Sequence, residues 1–173
     1  MRKRILLIAG LVVVLAGTFV LLHKQFSSTT IAMGRSVDTV DSVITHSIKY
    51  SELADFSANN PGDHVFLIRD ANTDSDYIIE TLLTPLSKEH DVKTIPSIVS
   101  VDLSDAKDLT VTRLKNMFGV ESYPAIILAN FDSTKNTLNV KNSIVYDAQS
   151  PFTIDSLRAW FFNNNLWSGP YNE

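Results

Sequence analysis

Oxygen-bearing side chains alternate along one polar stretch of the sequence. They are Asp70, Asn72, Asp74 and Asp76, with Glu80 beyond them. Calcium takes about six to eight oxygen ligands, and an EF-hand loop supplies them at alternating positions. Such a loop places glycine at its sixth position and glutamate at its twelfth, where this sequence has Ser75 and Thr81. Two interpretations therefore stand: a calcium site or unconventional enzyme built on these side chains, and a solvated loop in which Asp74 or Ser75 caps a helix.

Several other chemistries lack their residues. The chain has no cysteine, which excludes disulfides, thiol catalysis and cysteine-ligated zinc. The four histidines are scattered without metal-ligand spacing. They are His23, His46, His64 and His90. The sequence contains no glycine-rich phosphate loop and no Gly-x-Ser-x-Gly elbow. We therefore expect no cofactor.

Charge separates the first residues from the rest of the chain. Three of the 15 basic residues are Arg2, Lys3 and Arg4, and no acidic residue precedes Asp38. The rest of the chain has 12 basic and 19 acidic residues, which gives it a formal charge of −7. A part that acidic lacks the broad basic face that binds nucleic acid. We expect no nucleic-acid partner.

The hydrophobic pattern after residue 42 alternates between strands and helices. Apolar runs predict strands at 43–48, 64–69, 96–103, 125–129 and 138–146. Ser51 is a candidate cap for the first helix, Thr110 or Thr112 for the third, and Ser150 or Thr153 for the last. In the second helix, an apolar face over 78–86 is interrupted by Pro85, which predicts a kink. The order β-α-β-α-β-α-β-β-α predicts an α/β fold with a mixed sheet and helices on both faces.

One segment carries a family resemblance. Met117-Phe118-Gly119-Val120-Glu121-Ser122-Tyr123-Pro124-Ala125 runs from the end of a predicted helix through an aromatic-proline pair into a buried strand. This segment and the element order resemble the thioredoxin-like family over residues 43–167. The resemblance makes Pro124 the counterpart of the family's cis-proline, and Pro85 the counterpart of the proline that kinks the helix after the active site.

The resemblance also places the family's Cys-x-x-Cys motif, which this chain lacks. Counting from the end of the predicted strand 64–69 puts the two cysteine positions at Asp74 and Tyr77, and counting back from Pro85 puts them at Tyr77 and Glu80. Thiol–disulfide exchange needs a thiolate, so neither pair can perform it. What the resemblance implies instead is a groove for extended polypeptide. Its residues would be Asp74, Tyr77, Tyr123 and Pro124.

The N-terminal residues form an uninterrupted apolar block. Residues 5–22 carry no charge, and at about 1.5 Å per residue they would span roughly 27 Å as a helix. Cations concentrate before the block, which favours a cytoplasmic N-terminus. We expect a cytoplasmic tip and transmembrane anchor at 1–24, a Ser/Thr-rich stalk at 25–42 and a thioredoxin-like domain at 43–173. The alternative for the apolar block is a cleaved signal peptide.

These features predict a single-pass protein of the cell membrane with its C-terminal domain outside the cytoplasm. A tethered thioredoxin-like domain resembles the membrane-anchored accessory proteins of Gram-positive bacteria, including the bacteriocin transport accessory group. The favoured hypothesis is a redox-inactive, non-enzymatic module that binds a peptide or an envelope protein, in an export or chaperone-like role. The alternatives are the calcium site or unconventional enzyme at Asp70–Glu80, and a structural subunit that acts mainly through its anchor.

Overall fold

The computed structural model describes residues 43–70, 73–132, 134–135 and 137–171. The expected anchor at 1–24 and stalk at 25–42 lie outside these residues. Among the residues that the structure does describe, no helix is both long and apolar enough to cross a membrane.

Five strands form one mixed sheet. They are β1 Ile44–Lys49, β2 His64–Arg69, β3 Ile98–Asp102, β4 Ala125–Asp132 and β5 Thr137–Val145. Their order across the sheet is β1-β3-β2-β4-β5. Strands β1, β3 and β2 run parallel, β4 is antiparallel to β2, and β5 is antiparallel to β4. The predicted mixed sheet is therefore confirmed, with the parallel pairs at one side and the hairpin at the other.

The helices alternate with the strands in the predicted order. They are α1 Leu53–Asn59, α2 over residues 73–87, α3 Val111–Phe118 and α4 Ile154–Asn163. Helix α2 has three consecutive segments: an α-helix Thr73–Tyr77, a π-helix Ile78–Leu83 and an α-helix Thr84–Ser87.

The sheet separates two hydrophobic clusters. Neighbouring side chains of a strand point to opposite faces, so Val65 and Leu67 of β2 enter one cluster and Phe66 and Ile68 enter the other. The first cluster also contains α2 and α4 side chains, and the second contains side chains of α1 and α3. All four of these β2 side chains are at most 2% exposed. Central strand β2 is thus covered on both faces, as its unbroken apolar run predicts.

Three helix ends lie at residues that the sequence predicted for them. The Thr110 side chain accepts a hydrogen bond from the Arg113 N–H at the start of α3, and Gly119 ends that helix with a φ of 68°. Thr153 caps α4 in the same way. The prediction that Ser51 caps α1 is wrong, because Ser51 lies inside a 3₁₀ turn, Tyr50–Glu52, that precedes the helix.

Pro85 was predicted to kink α2, and the structure shows a π-helical segment before it. Upstream of it the backbone widens into the π-helix, where the Thr84 N–H donates to the Ile79 carbonyl, five residues back. The chain then restarts as an α-helix at Thr84, so Pro85 lies in a first turn, where a missing N–H is tolerated. The wide turn keeps Ile78, Leu82, Leu83 and Leu86 buried in one cluster across the proline.

Candidate functional site

Three segments of the chain converge at one end of the sheet. Ile68 at the end of β2 pairs with Ala125 at the start of β4, and Ala125 pairs with Val145 at the end of β5. The residues that follow β2, precede β4 and follow β5 are therefore neighbours in space. The first of these segments is the start of α2, and the second contains Tyr123 and Pro124.

An open cavity of about 400 Å³ lies where these segments meet. Its lining residues are Asp74, Ser122, Tyr123, Pro124, Val145, Tyr146, Asp147 and Ala148. The Tyr123–Pro124 peptide bond is cis. Pro124 is buried, whereas Asp74 and Tyr123 are partly exposed to solvent. The cavity therefore combines a carboxylate from the first turn of α2 with the aromatic-proline pair that precedes β4.

Three of the four predicted groove residues share this cavity. Asp74, Tyr123 and Pro124 line it, although they are about fifty residues apart in the chain. Tyr77 is absent from the lining and is 42% exposed. Its ring lies beside that of Tyr146, a lining residue, with the two centroids 6.3 Å apart.

Tyr146 was not among the predicted site residues. Its N–H donates to the Pro124 carbonyl at 2.9 Å, and its ring packs edge-on against Phe152 with the centroids 5.5 Å apart. The signal that could have found it was the predicted pairing of 138–146 with 125–129. A hairpin partner that ends opposite Ala125 places its next residue beside Pro124.

The electrostatic environment of Tyr146 is negative. Loss of hydration is the main cause that raises the pKa of its hydroxyl, and interactions with Asp74, Tyr77 and Asp147 raise it further. The lining contains two aspartates and no lysine, arginine or histidine. This cavity would therefore attract a positively charged group.

The backbone beside the cis bond has hydrogen-bonding groups that no described residue satisfies. Pro124 uses its carbonyl to accept from Tyr146. Within the described part of the chain, the N–H and C=O of Tyr123 make no hydrogen bond. Unpaired main-chain groups of this kind can pair with an extended peptide.

The acidic stretch is helical from Thr73 onwards and is not an extended loop there. The chain is helical from Thr73, so Asp74 and Asp76, two residues apart, point to different sides of α2. Asn72 lies outside the described residues, and among those described no three acidic or histidine side chains gather as a metal cluster. Asp70 ends up after β2 with its Oδ1 buried, and that atom has no hydrogen-bond partner within the described chain. The prediction that Asp74 or Ser75 caps this helix is wrong, because both lie within the helix that starts at Thr73. The helix-start interpretation agrees with the fold in its other part, since Asp74 and Asp76 place negative charge in the first turn.

Comparisons with known proteins give no identity. No protein-family model, no curated protein and no solved structure matches the chain.

Proposed function

We propose that residues 43–173 are a cysteine-free, thioredoxin-like binding module that takes an extended segment of a peptide or envelope protein. An anchor at residues 5–22 would hold this module at the membrane, outside the cytoplasm. The module would act in export or as a chaperone-like accessory, without thiol chemistry. The observation that carries the proposal is the cavity in which Asp74 at the start of α2 meets Tyr123 and the cis Pro124.

The thioredoxin-like assignment is supported by topology and by the position of one residue. The element order, the mixed sheet and a cis Pro124 directly before strand β4 agree with what the resemblance implies. Of the two pairs of positions for the missing cysteines, Asp74 and Tyr77 fit better, because Asp74 shares a cavity with Pro124. Tyr77, the first position of the other pair, is absent from that lining.

A binding role is supported by what the cavity offers. A volume of about 400 Å³ falls within the range of roughly 300–1,000 Å³ that is common for ligand pockets. The N–H and C=O of Tyr123, which have no partner among the described residues, can supply main-chain hydrogen bonds, and the tyrosine rings supply apolar contact with a polar edge. Carboxylates and phenols cannot replace a thiolate, so binding is the activity that this set of groups retains.

A photo-crosslinking experiment tests the proposal in cells that make the protein. A photoreactive phenylalanine replaces Tyr123 in the full chain, and a second version carries it at Val111, which is 58% exposed and outside the cavity lining. We expect a discrete adduct from position 123 that position 111 does not give. Asp74→Ala should weaken the adduct while changing the melting temperature little, because Asp76 keeps a negative charge in the first turn of α2.

A phenotype connects the adduct to function. Tyr123→Ala combined with Asp74→Ala should impair the process in which the captured partner takes part. The proposal is wrong if positions 123 and 111 capture the same background proteins, and if the double variant behaves as the unmodified protein does.

A further inference from the structure

The charge of the cavity is one-sided. Asp74 enters it from α2, and Asp147 enters it from the segment after β5. Asp147 is exposed and Asp74 is partly exposed, so both carboxylates remain hydrated when the cavity is empty. Among the described residues, no basic side chain lines the cavity to neutralise them.

Aromatic rings complete the same wall. Tyr146 lines the cavity together with Asp74 and Asp147. Burial chiefly raises the pKa of its hydroxyl, and both carboxylates raise it further. Tyr77 extends the aromatic surface outwards beside Tyr146, with its ring tilted by 54° to that ring. Tyrosine faces attract cations through the ring quadrupole, and carboxylates attract them directly.

We infer that the cavity selects an extended segment that presents a lysine or arginine side chain to Asp74 and Asp147. This inference deepens the proposed function and rests on it. The main chain of the segment pairs with Tyr123, and its cationic head lies between the two carboxylates with its methylene stem against the Tyr146 ring. The long, flexible stem of either side chain suits this arrangement, because it packs on apolar surface while the charged head remains hydrated.

The same geometry disfavours other occupants. An acidic side chain would bring a third negative charge towards two aspartates, which is repulsive. A neutral apolar side chain would gain the contact with Tyr146 but not the attraction to the carboxylates. The net charge of −7 beyond residue 4 adds a long-range attraction for basic segments that salt would screen.

Peptide binding to the full chain tests the selection directly. The probes are four blocked, fluorescent, otherwise identical peptides whose central residue is lysine, arginine, norleucine or glutamate. Fluorescence anisotropy is measured with the full chain in a zwitterionic detergent. We expect the lysine and arginine peptides to bind about tenfold more tightly than the norleucine peptide, as partly hydrated ion pairs and a cation–π contact allow. The glutamate peptide should bind most weakly.

Two matched double variants locate the effect. Asp74→Asn with Asp147→Asn preserves side-chain size, and the amide oxygen introduced at position 147 could still accept from the Gln149 N–H, which now donates to Asp147 at 2.9 Å. The control, Asp76→Asn with Asp108→Asn, removes the same charge from exposed residues outside the lining. The preference for lysine over norleucine should vanish in the first variant and persist in the control.

The other outcomes overturn the inference and are distinguishable from a failure of the proposed function. Equal binding of the norleucine and lysine peptides would mean a peptide groove without charge selection. Equal loss of preference in both double variants would mean a general attraction to an acidic surface. If no peptide binds, the charge selection is wrong, and the crosslink at position 123 then decides whether a binding function survives. If the peptides do not bind and the crosslink is also absent, both the charge selection and the proposed binding function are wrong.

Discussion

Asp105 connects two loops through hydrogen bonds to its carboxylate. The Tyr50 N–H donates to Oδ1 at 3.1 Å, and the Ser51 N–H donates to Oδ2 at 3.2 Å. Interaction with the Ser51 side chain, followed by the backbone hydrogen bonds, lowers the pKa of Asp105. The carboxylate thereby ties the segment after β3 to the turn before α1. Ser51, which the sequence suggested as a helix cap, is instead a donor to this residue.

The pH dependence of stability should report this connection. A lowered folded-state pKa means that ionised Asp105 stabilises the fold above its unfolded pKa of about 3.9, and that this stabilisation is lost as the pH falls through the folded value. Asp105→Asn should therefore lower the melting temperature of a fragment spanning residues 36–173 at pH 7. The difference from the unmodified fragment should shrink below about pH 4. Thermal melts across this range measure it.

Asp55→Asn is the matched control for Asp105→Asn. Asp55 is exposed on α1, and its carboxylate makes no hydrogen bond within the described residues. A pH-dependent difference of the same size in both variants would contradict a specific role for Asp105.

At the scale of elements, local sequence predicted the order and most boundaries. Apolar runs such as 64–69 specify a buried strand by their length, and Thr110, Gly119 and Thr153 mark helix ends through their own backbone preferences. The π-helix Ile78–Leu83 was not predicted, because periodicity places the same apolar residues on one face in either kind of turn. Pro85 predicted an irregularity in α2, but whether the helix kinks or widens into a π-helix depends on its packing against the sheet.

Arg158 of helix α4 forms hydrogen bonds to Glu89 in the turn Glu89–Asp91. Arg158 donates from Nε and Nη2 to both oxygens of Glu89, at 3.1 and 2.5 Å, and from Nη1 to Asp155. The Glu89 side chain is 29% exposed and that of Asp155 is 86% exposed. The pKa of Arg158 is raised, chiefly by the hydrogen bonds to Glu89. The bidentate, less hydrated pair should therefore contribute more to stability.

A pair of amide substitutions compares the two carboxylates. Glu89→Gln should lower the free energy of unfolding by about 1 kcal/mol, because it breaks a bidentate pair between α4 and the turn Glu89–Asp91. Asp155→Asn removes the same charge beside the same guanidinium and should change it by less than about 0.5 kcal/mol. Urea unfolding of the 36–173 fragment measures both. Equal effects would mean that Arg158 contributes through its overall charge environment and not through the connection to Glu89.

At the scale of the molecule, the candidate site was predicted in part. The resemblance implied that Asp74 lies beside Tyr123 and Pro124, but the antiparallel pairing of β4 with β2 that brings them together was not predicted, because strand-helix alternation favours parallel pairs. Tyr77 lies outside the cavity lining. The direction of its side chain depends on the residue at which α2 starts, and the sequence did not specify that residue. Tyr146 and Asp147 were not predicted as site residues. Their place beside Pro124 depends on the strand register that pairs Ala125 with Val145.

The proposed tether makes a prediction for the whole chain. Residues 5–22 contain no charge, and we expect them to keep the full chain in the membrane fraction after carbonate extraction. Val13→Arg with Val14→Arg places two charges near the centre of this block, each costing roughly 2.5–3.5 kcal/mol of insertion free energy, so this variant should leave the membrane. Replacing the same valines with leucine should change nothing.

Mass and protease access then determine the orientation and exclude processing. The intact mass of the membrane-bound protein should include residues 1–24, whereas a cleaved signal peptide would remove them. Protease added outside intact cells, after removal of the cell wall, should digest residues 43–173 and spare an epitope placed before Arg2, because the three cations at 2–4 favour the cytoplasmic side. A domain protected until the cells are lysed would put the cavity in the cytoplasm. A partner outside the cell membrane would then be impossible, even if the cavity still bound a basic peptide in solution.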